Sequence, residues 1–178
     1  VDGAMDALDR IAQVVIRLGD RVIVEHPTFP PLLDLLEKIG ADVIGVEVDA
    51  EGMNVEALTA ALEQKPMALF LQPRAQNPTG ITMTAQRAKH IADAIVASGH
   101  SESITIIEDD HAGDIAVGEL NSIGNYLPTR TVHIRSYSKS HGPDLRLAAV
   151  GGAGDVISAA ANRRLLGPGW SSRILQAV

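Results

Sequence analysis

The feature that most constrains the fold is an alternation of short apolar runs with longer segments of helical periodicity along 178 residues. Each apolar run has the length of a strand, and each intervening segment can form a helix that crosses back over a sheet. This order predicts an α/β fold with a mostly parallel, mixed sheet. The runs are almost wholly aliphatic, so helices are expected on both faces in a three-layer α/β/α arrangement. The predicted strands are 21–25, 42–48, 67–71, 104–108, 131–136 and 147–151.

The predicted helices share apolar residues at intervals of three and four positions. Gly40 and Gly99 stand where the C-caps of two such helices are expected, because glycine readily takes the left-handed backbone conformation. Thr84 is the expected N-cap of a third helix. The predicted helices are 4–18, 31–39, 54–64, 84–98 and 154–166.

Composition excludes several classes of function. The net charge of −7 argues against nucleic-acid binding by this segment itself. The chain contains no cysteine, which excludes a disulfide framework and a thiolate metal site, and no metal site is expected. No apolar run approaches the ~18 residues of a membrane span, so a cytoplasmic protein without a membrane partner is expected. The chain begins at Val1 rather than a methionine and ends in a helix-like stretch, which suggests a fragment.

Polar and aromatic residues follow several predicted strands, at the edge where α/β sheets bind ligands. Phe29, Asn77, Asp109 and Lys139 each have a simpler interpretation alone, as core, turn, strand end or surface lysine. Together they supply an aromatic ring that stacks, an amide that donates to a phenolic oxygen and a carboxylate that faces a pyridine nitrogen. The lysine can form a Schiff base if its amine is desolvated enough to lose its proton. With Arg146 and a helix N-terminus to bind phosphate, these are the groups that hold pyridoxal 5′-phosphate (PLP).

Four motifs occur in an order that resembles a known family: "NPTG" at 77–80, "EDDH" at 108–111, "SYSK" at 136–139 and "LRL" at 145–147. The chain resembles, over essentially its whole length, the large domain of the fold-type I PLP enzymes, the class I/II aminotransferases. The strings "QPRAQNPTG" and "LLGPGWSSRILQ" are most similar to the MocR-type branch, whose members join this domain to a GntR-type winged-helix domain. The resemblance implies that residues 1–178 are a truncated large domain. The N-terminal segment and the C-terminal small domain would then lie outside this chain.

The resemblance also implies a role for individual residues. Lys139 would form the Schiff base and move a proton between substrate and cofactor. Asp109, rather than Asp110, would pair with the pyridinium nitrogen, Asn77 would donate to the phenolic oxygen, and Phe29 would stack on the ring. The phosphate would be bound by backbone and side-chain groups of Gly3, Ala4, Met5, Ser136, Ser138 and Arg146.

The sequence departs from the family pattern at His111, which stands where the family has a tyrosine that touches the phenolic oxygen. A histidine there can keep that hydrogen bond, with its own pH dependence, or lose it. Asp144 and Ala148 likewise stand where the family has glycine.

The resemblance leaves two functions open. The first is a PLP-dependent aminotransferase that moves an amino group between an amino acid and a 2-oxo acid. The second is the effector domain of a GntR/MocR-type transcriptional regulator, which senses PLP or an amino acid with little or no turnover. A homodimer is expected for the parent protein in both cases, and DNA would be bound only by a winged-helix domain outside this chain.

Overall fold

The computed structural model describes residues 1–166, 174 and 177. Their strands are β1 (Arg21–His26), β2 (Asp42–Asp49), β3 (Gly52–Met53), β4 (Ala68–Leu71), β5 (Thr105–Asp110), β6 (Thr131–Ser136) and β7 (Ala148–Gly152). Their α-helices are α1 (Ala4–Val15), α2 (Pro30–Ile39), α3 (Val55–Leu62), α4 (Ala85–Ala97) and α5 (Gly154–Arg163). Short 3₁₀ helices occur at Gly113–Ile115, Ile123–Asn125, Pro143–Leu145 and Arg164–Leu166.

The seven strands form one sheet in the order β3-β2-β1-β4-β5-β6-β7. Strands β2, β1, β4, β5 and β6 are parallel, whereas β3 and β7 pair antiparallel to their neighbours. The predicted mixed, mostly parallel sheet is thus confirmed. The strand order reverses between β1 and β4, because the chain runs outward from β1 to β3 and then returns to the other side of β1. Such a reversal opens a crevice at the carboxyl ends of the two strands, which is where sheets of this kind bind ligands.

Both faces of the sheet are covered, as the aliphatic strands predicted. Helices α1, α2 and α5 pack on one face, in a core that includes Leu8, Ile11, Val22, Val24, Leu36, Phe70, Ile107, Ile134 and Val156. Helices α3 and α4 pack on the other, in a core that includes Ile23, Leu58, Leu62, Leu69, Ile91, Ile95 and Ile106. Neighbouring residues of one strand enter different cores, which gives the predicted three-layer α/β/α arrangement.

Most predicted elements are present, with shifted ends. Helix α1 ends three residues earlier than predicted, because the Arg17 guanidinium donates to the Val14 carbonyl at 3.0 Å and Asp20 accepts from the Arg17 N–H at 2.7 Å. Gly40 caps α2 with φ 78°, and Thr84 caps α4 by accepting from a backbone N–H, both as predicted. Gly99, with φ 72°, directly follows the C-cap of α4. The last predicted helix changes from α-helix to 3₁₀ helix after residue 163.

The outer edge of β7 carries one more backbone pairing. The Val1 amino group donates to the Ala148 carbonyl at 3.0 Å, and the Ala148 N–H donates to the Val1 carbonyl at 3.1 Å. Across the described part of the chain, no helix is long and apolar enough to cross a bilayer.

Candidate cofactor site

A cavity of about 170 Å³ lies beside the start of α1, at the carboxyl ends of the central strands. Its lining contains ten of the residues that the sequence singled out, together with Leu8 and Gln72. These lining residues are Ala4, Met5, Leu8, Phe29, Gln72, Asn77, Asp109, His111, Ser136, Ser138, Lys139 and Arg146. Gly3 adjoins them, since a Cβ built on it would lie 2.9 Å from Arg146 Nη2. The fold therefore brings together every residue of the predicted site.

Lys139 presents its amine to His111. Lys139 Nζ lies 2.9 Å from His111 Nδ1 and donates to the His111 carbonyl oxygen at 3.2 Å. The Lys139 side chain is exposed, so burial does not desolvate it.

The His111 ring is held at its other nitrogen. His111 Nε2 lies 2.8 Å from the Ala75 carbonyl oxygen. Ala75 takes a left-handed backbone conformation with φ 47°, which is uncommon for a residue other than glycine. The loop that follows β4 therefore fixes the direction of the ring, so that Nδ1 faces the lysine.

Asp109 faces the cavity with an incomplete set of hydrogen bonds. Its Oδ2 accepts from Gln72 Nε2 at 3.0 Å, whereas its Oδ1 has no hydrogen-bond partner within the described residues. Burial raises the pKa of Asp109, although the Gln72 amide and the nearby charges of His111 and Lys139 act in the opposite direction. A buried carboxylate oxygen without a donor is costly, so the site is suited to a ligand that brings one.

Asp110, the next residue of β5, faces the opposite side of the sheet. Its two oxygens accept from Arg74 Nε and Nη2, each at 2.8 Å, and Oδ2 also accepts from Arg135 at 3.0 Å. Burial alone would raise the pKa of Asp110, but the Arg74 hydrogen bond and the charges of Arg74 and Arg135 lower it below its usual value. The geometry therefore leaves Asp109, and not Asp110, free to meet a ligand.

Gln72 and Glu25 belong to the site, and the sequence reasoning missed both. The Gln72 side chain donates to Asp109 and accepts from the Asn77 N–H at 2.7 Å, so one amide ties two predicted cofactor ligands together. The Gln72 N–H donates to Glu25 Oε2 at 2.9 Å. Burial raises the pKa of Glu25 to about 8. The available signal was a glutamate that ends the aliphatic run "RVIVE".

The other end of the cavity suits an anion. Helix α1 begins at Ala4, and the first N–H groups of an α-helix lack intrahelical partners and carry partial positive charge. Arg146 lies across Gly3, where its Nη2 donates to the Asp2 carbonyl at 3.5 Å. Ser136 and Ser138 close this end, and the Ser138 N–H donates to Ser136 Oγ at 3.4 Å. A helix start, hydroxyls and a guanidinium together can bind a phosphate group.

The two ends of the cavity match the two ends of PLP. Asp109 Oδ1, which has no partner in the part of the chain that the structure describes, can accept from a protonated pyridine nitrogen, and the start of α1 with Arg146 can bind the phosphate. Lys139 and Phe29 line the same cavity and supply an amine and an aromatic ring. The residues present therefore fit this cofactor.

Comparisons with known proteins agree with this fit. A model of the family "aminotransferase class I and II" matches residues 1–178. The chain is 36% identical over 176 residues to the vitamin B6 salvage pathway transcriptional repressor PtsJ of Salmonella typhimurium, covering 98% of this chain and 40% of PtsJ. It is 31% identical over 183 residues to aminotransferase swnA of Metarhizium robertsii, covering 93% of this chain and 36% of swnA.

Among solved structures, the kynurenine aminotransferase of Pyrococcus horikoshii, crystallised with PMP, superposes with a TM-score of 0.82 at 26% identity. That superposition covers 93% of this chain and 43% of the other. The chain thus spans less than half the length of each of these proteins. Because the family match extends over all of its residues, the chain belongs to the aminotransferase class I and II family.

Proposed function

We propose that residues 1–178 form the PLP-binding large domain of a longer aminotransferase, which transfers an amino group between an amino acid and a 2-oxo acid. The observation that supports this most is the joint placement, in one cavity, of a lysine amine, a buried carboxylate oxygen with no hydrogen-bond partner among the described residues and a helix start with an arginine. The chain covers 40% of PtsJ and 36% of swnA, which supports its assignment as one domain of a longer protein.

Each residue has a distinct task in this proposal. Lys139 would hold the cofactor, and its amine would then be placed to move protons at the reacting carbon. Asp109 keeps the pyridine nitrogen protonated, and the bound cofactor supplies the electron sink that stabilises charge on the substrate. Phe29 stacks on the ring and Asn77 donates to its phenolic oxygen. The phosphate is bound by Gly3, Ala4, Met5, Ser136, Ser138 and Arg146.

A second function is supported by a specific observation. The relative PtsJ is named as a transcriptional repressor of vitamin B6 salvage, and its identity to this chain is 36%. In this alternative the same cavity senses PLP or an amino acid, and a separate winged-helix domain binds DNA. The proposed parent is a cytoplasmic homodimer in both cases.

Covalent capture of PLP tests the cofactor assignment. The chain is incubated with PLP, treated with borohydride and mapped by peptide mass spectrometry. We expect the adduct on Lys139, and its loss in Lys139→Ala but not in Lys38→Ala, which removes an exposed lysine of α2. An adduct that persists in Lys139→Ala at wild-type yield would contradict the assignment.

Turnover separates the two functions. The full-length parent is mixed with a panel of amino acids and a 2-oxo acid, and the new amino acid is measured. Transfer that depends on Lys139 supports the aminotransferase. Capture of PLP without transfer, together with DNA binding that responds to PLP, supports the regulator.

A further inference from the structure

The hydrogen bonds of His111 fix which ring nitrogen carries its proton. The Ala75 carbonyl, 2.8 Å from Nε2, can only accept a hydrogen bond, so Nε2 must be the donor. In the neutral ring, Nδ1 then carries a lone pair and no proton. That lone pair lies 2.9 Å from Lys139 Nζ, which is ordinary hydrogen-bond distance for an ammonium donor.

A buried ion pair supports this arrangement. The carbonyl that orients His111 belongs to Ala75, whose neighbour Arg74 is bound through two hydrogen bonds to Asp110. Ala75 follows Arg74 in the chain, and His111 follows Asp110. The carbonyl and the ring that it orients therefore each belong to a residue next to one partner of this ion pair. The direction of Nδ1 is thus a property of the folded chain and does not need the cofactor.

The exposed Lys139 amine needs a partner that accepts its proton. An amine attacks an aldehyde carbon only through a free electron pair, which the ammonium form lacks. Enzymes often free a lysine by burying it, but here the side chain is exposed. His111 Nδ1 is in direct contact with the amine, and in the Nε2–H tautomer this nitrogen offers it a lone pair.

We propose that His111 is a catalytic base that takes the proton of the Lys139 ammonium before the lysine reacts with PLP. In this step one N–H bond at Lys139 Nζ breaks and one N–H bond at His111 Nδ1 forms. The positive charge moves from the ammonium to the imidazolium, whose Nε2–H still donates to Ala75. The charged groups Asp109 and Arg146 line the same cavity as His111 and Lys139. This inference rests on the proposed function, because PLP is the reactant that the freed amine meets.

The first test measures the tautomer without any cofactor. In ¹⁵N NMR spectra of the PLP-free chain near neutral pH, we expect the His111 ring in its Nε2–H form. Lys139→Ala should shift the Nδ1 resonance of His111 and leave that of His90, an exposed histidine of α4, unchanged. An Nδ1–H tautomer, or an Nδ1 resonance that does not respond to Lys139→Ala, would overturn the inference.

The second test measures the rate at which the chain captures PLP covalently, as a function of pH. His111→Gln keeps a polar side chain but cannot take up a proton, so the rate near neutral pH should fall by about 10²-fold. The gap should narrow as the pH rises, because hydroxide then removes the proton without His111. His90→Gln is the matched control and should behave as wild type.

The outcomes distinguish the inference from the proposed function. Equal rates for wild type and His111→Gln would overturn the role of His111 while leaving the cofactor site intact. Absence of capture by the wild-type chain would refute the proposed function, and the inference with it.

Discussion

Glu25 gives the sharpest prediction about stability, because its burial changes how folding depends on pH. The side chain is 3% exposed, and burial raises its pKa from 4.5 to about 8. The folded chain therefore keeps a proton that the unfolded chain releases. The contribution of Glu25 to the free energy of unfolding is largest below pH 4.5, falls as the pH rises towards 8, and stays low above that value.

The magnitude follows from this difference in pKa. Each pH unit between the two values lowers the free energy of unfolding by about 1.4 kcal/mol, and the whole interval amounts to about 5 kcal/mol. Glu25→Gln keeps a neutral side chain that can still accept from the Gln72 N–H, and it has no proton to lose. Between pH ~5.5 and ~7.5 the free energy of unfolding of the wild type should fall by about 3 kcal/mol relative to that of the variant.

Urea unfolding of the PLP-free chain at a series of pH values measures this difference. The cofactor is omitted because its charge beside Asp109 would change the local field. Glu37→Gln, on the exposed side of α2, is the control and should follow the wild-type curve. If the curves of Glu25→Gln and wild type run parallel over this pH range, the reasoning about burial is wrong.

Two further predictions concern the carboxylate that faces the cavity and the glycine that precedes α1. Asp109→Asn should weaken PLP binding by more than Asp110→Asn, measured by cofactor titration at a temperature where both variants are folded. Asp110→Asn should instead lower the free energy of unfolding by about 3–5 kcal/mol, because it leaves the buried Arg74 without its charge partner. If Asp110→Asn weakened PLP binding more than Asp109→Asn, the wrong carboxylate would have been assigned to PLP. Gly3→Ala should weaken PLP binding by about tenfold, since its Cβ would lie 2.9 Å from Arg146 Nη2 and φ is 95°. Gly154→Ala, whose Cβ would meet no atom of the described residues within 4 Å, should leave binding unchanged.

The sequence predicts the sheet well, because aliphatic runs and helical periodicity are local signals. It also predicts which side chains converge, since the carboxyl ends of parallel strands meet at one edge. It does not predict that β5 extends through Asp109 and Asp110, because acidic residues are poor strand formers and their partners come from other elements. The two-residue strand β3 is too short to carry a periodic signal.

The hydrogen bonds that Gln72 makes with its neighbours cannot be predicted from the sequence, for a different reason. The contact of Gln72 with Glu25 joins positions 47 residues apart, and that with Asp109 joins positions 37 apart. Nothing local marks an amide for such a role. The exposure of Lys139 is likewise decided by the surrounding loops, and the family motif carries no information about it.

The opposite directions of Asp109 and Asp110 make β5 intolerant of slippage. Side chains alternate along a strand, so a shift by one residue would exchange the two faces. Glu108 and Asp110 would then turn towards the apolar core under α1, away from His133 and Arg74. Insertions or deletions before β5 must therefore be absorbed in the loop that precedes it. Selection for a stable fold would thereby preserve the alignment of the ligand-facing carboxylate as well.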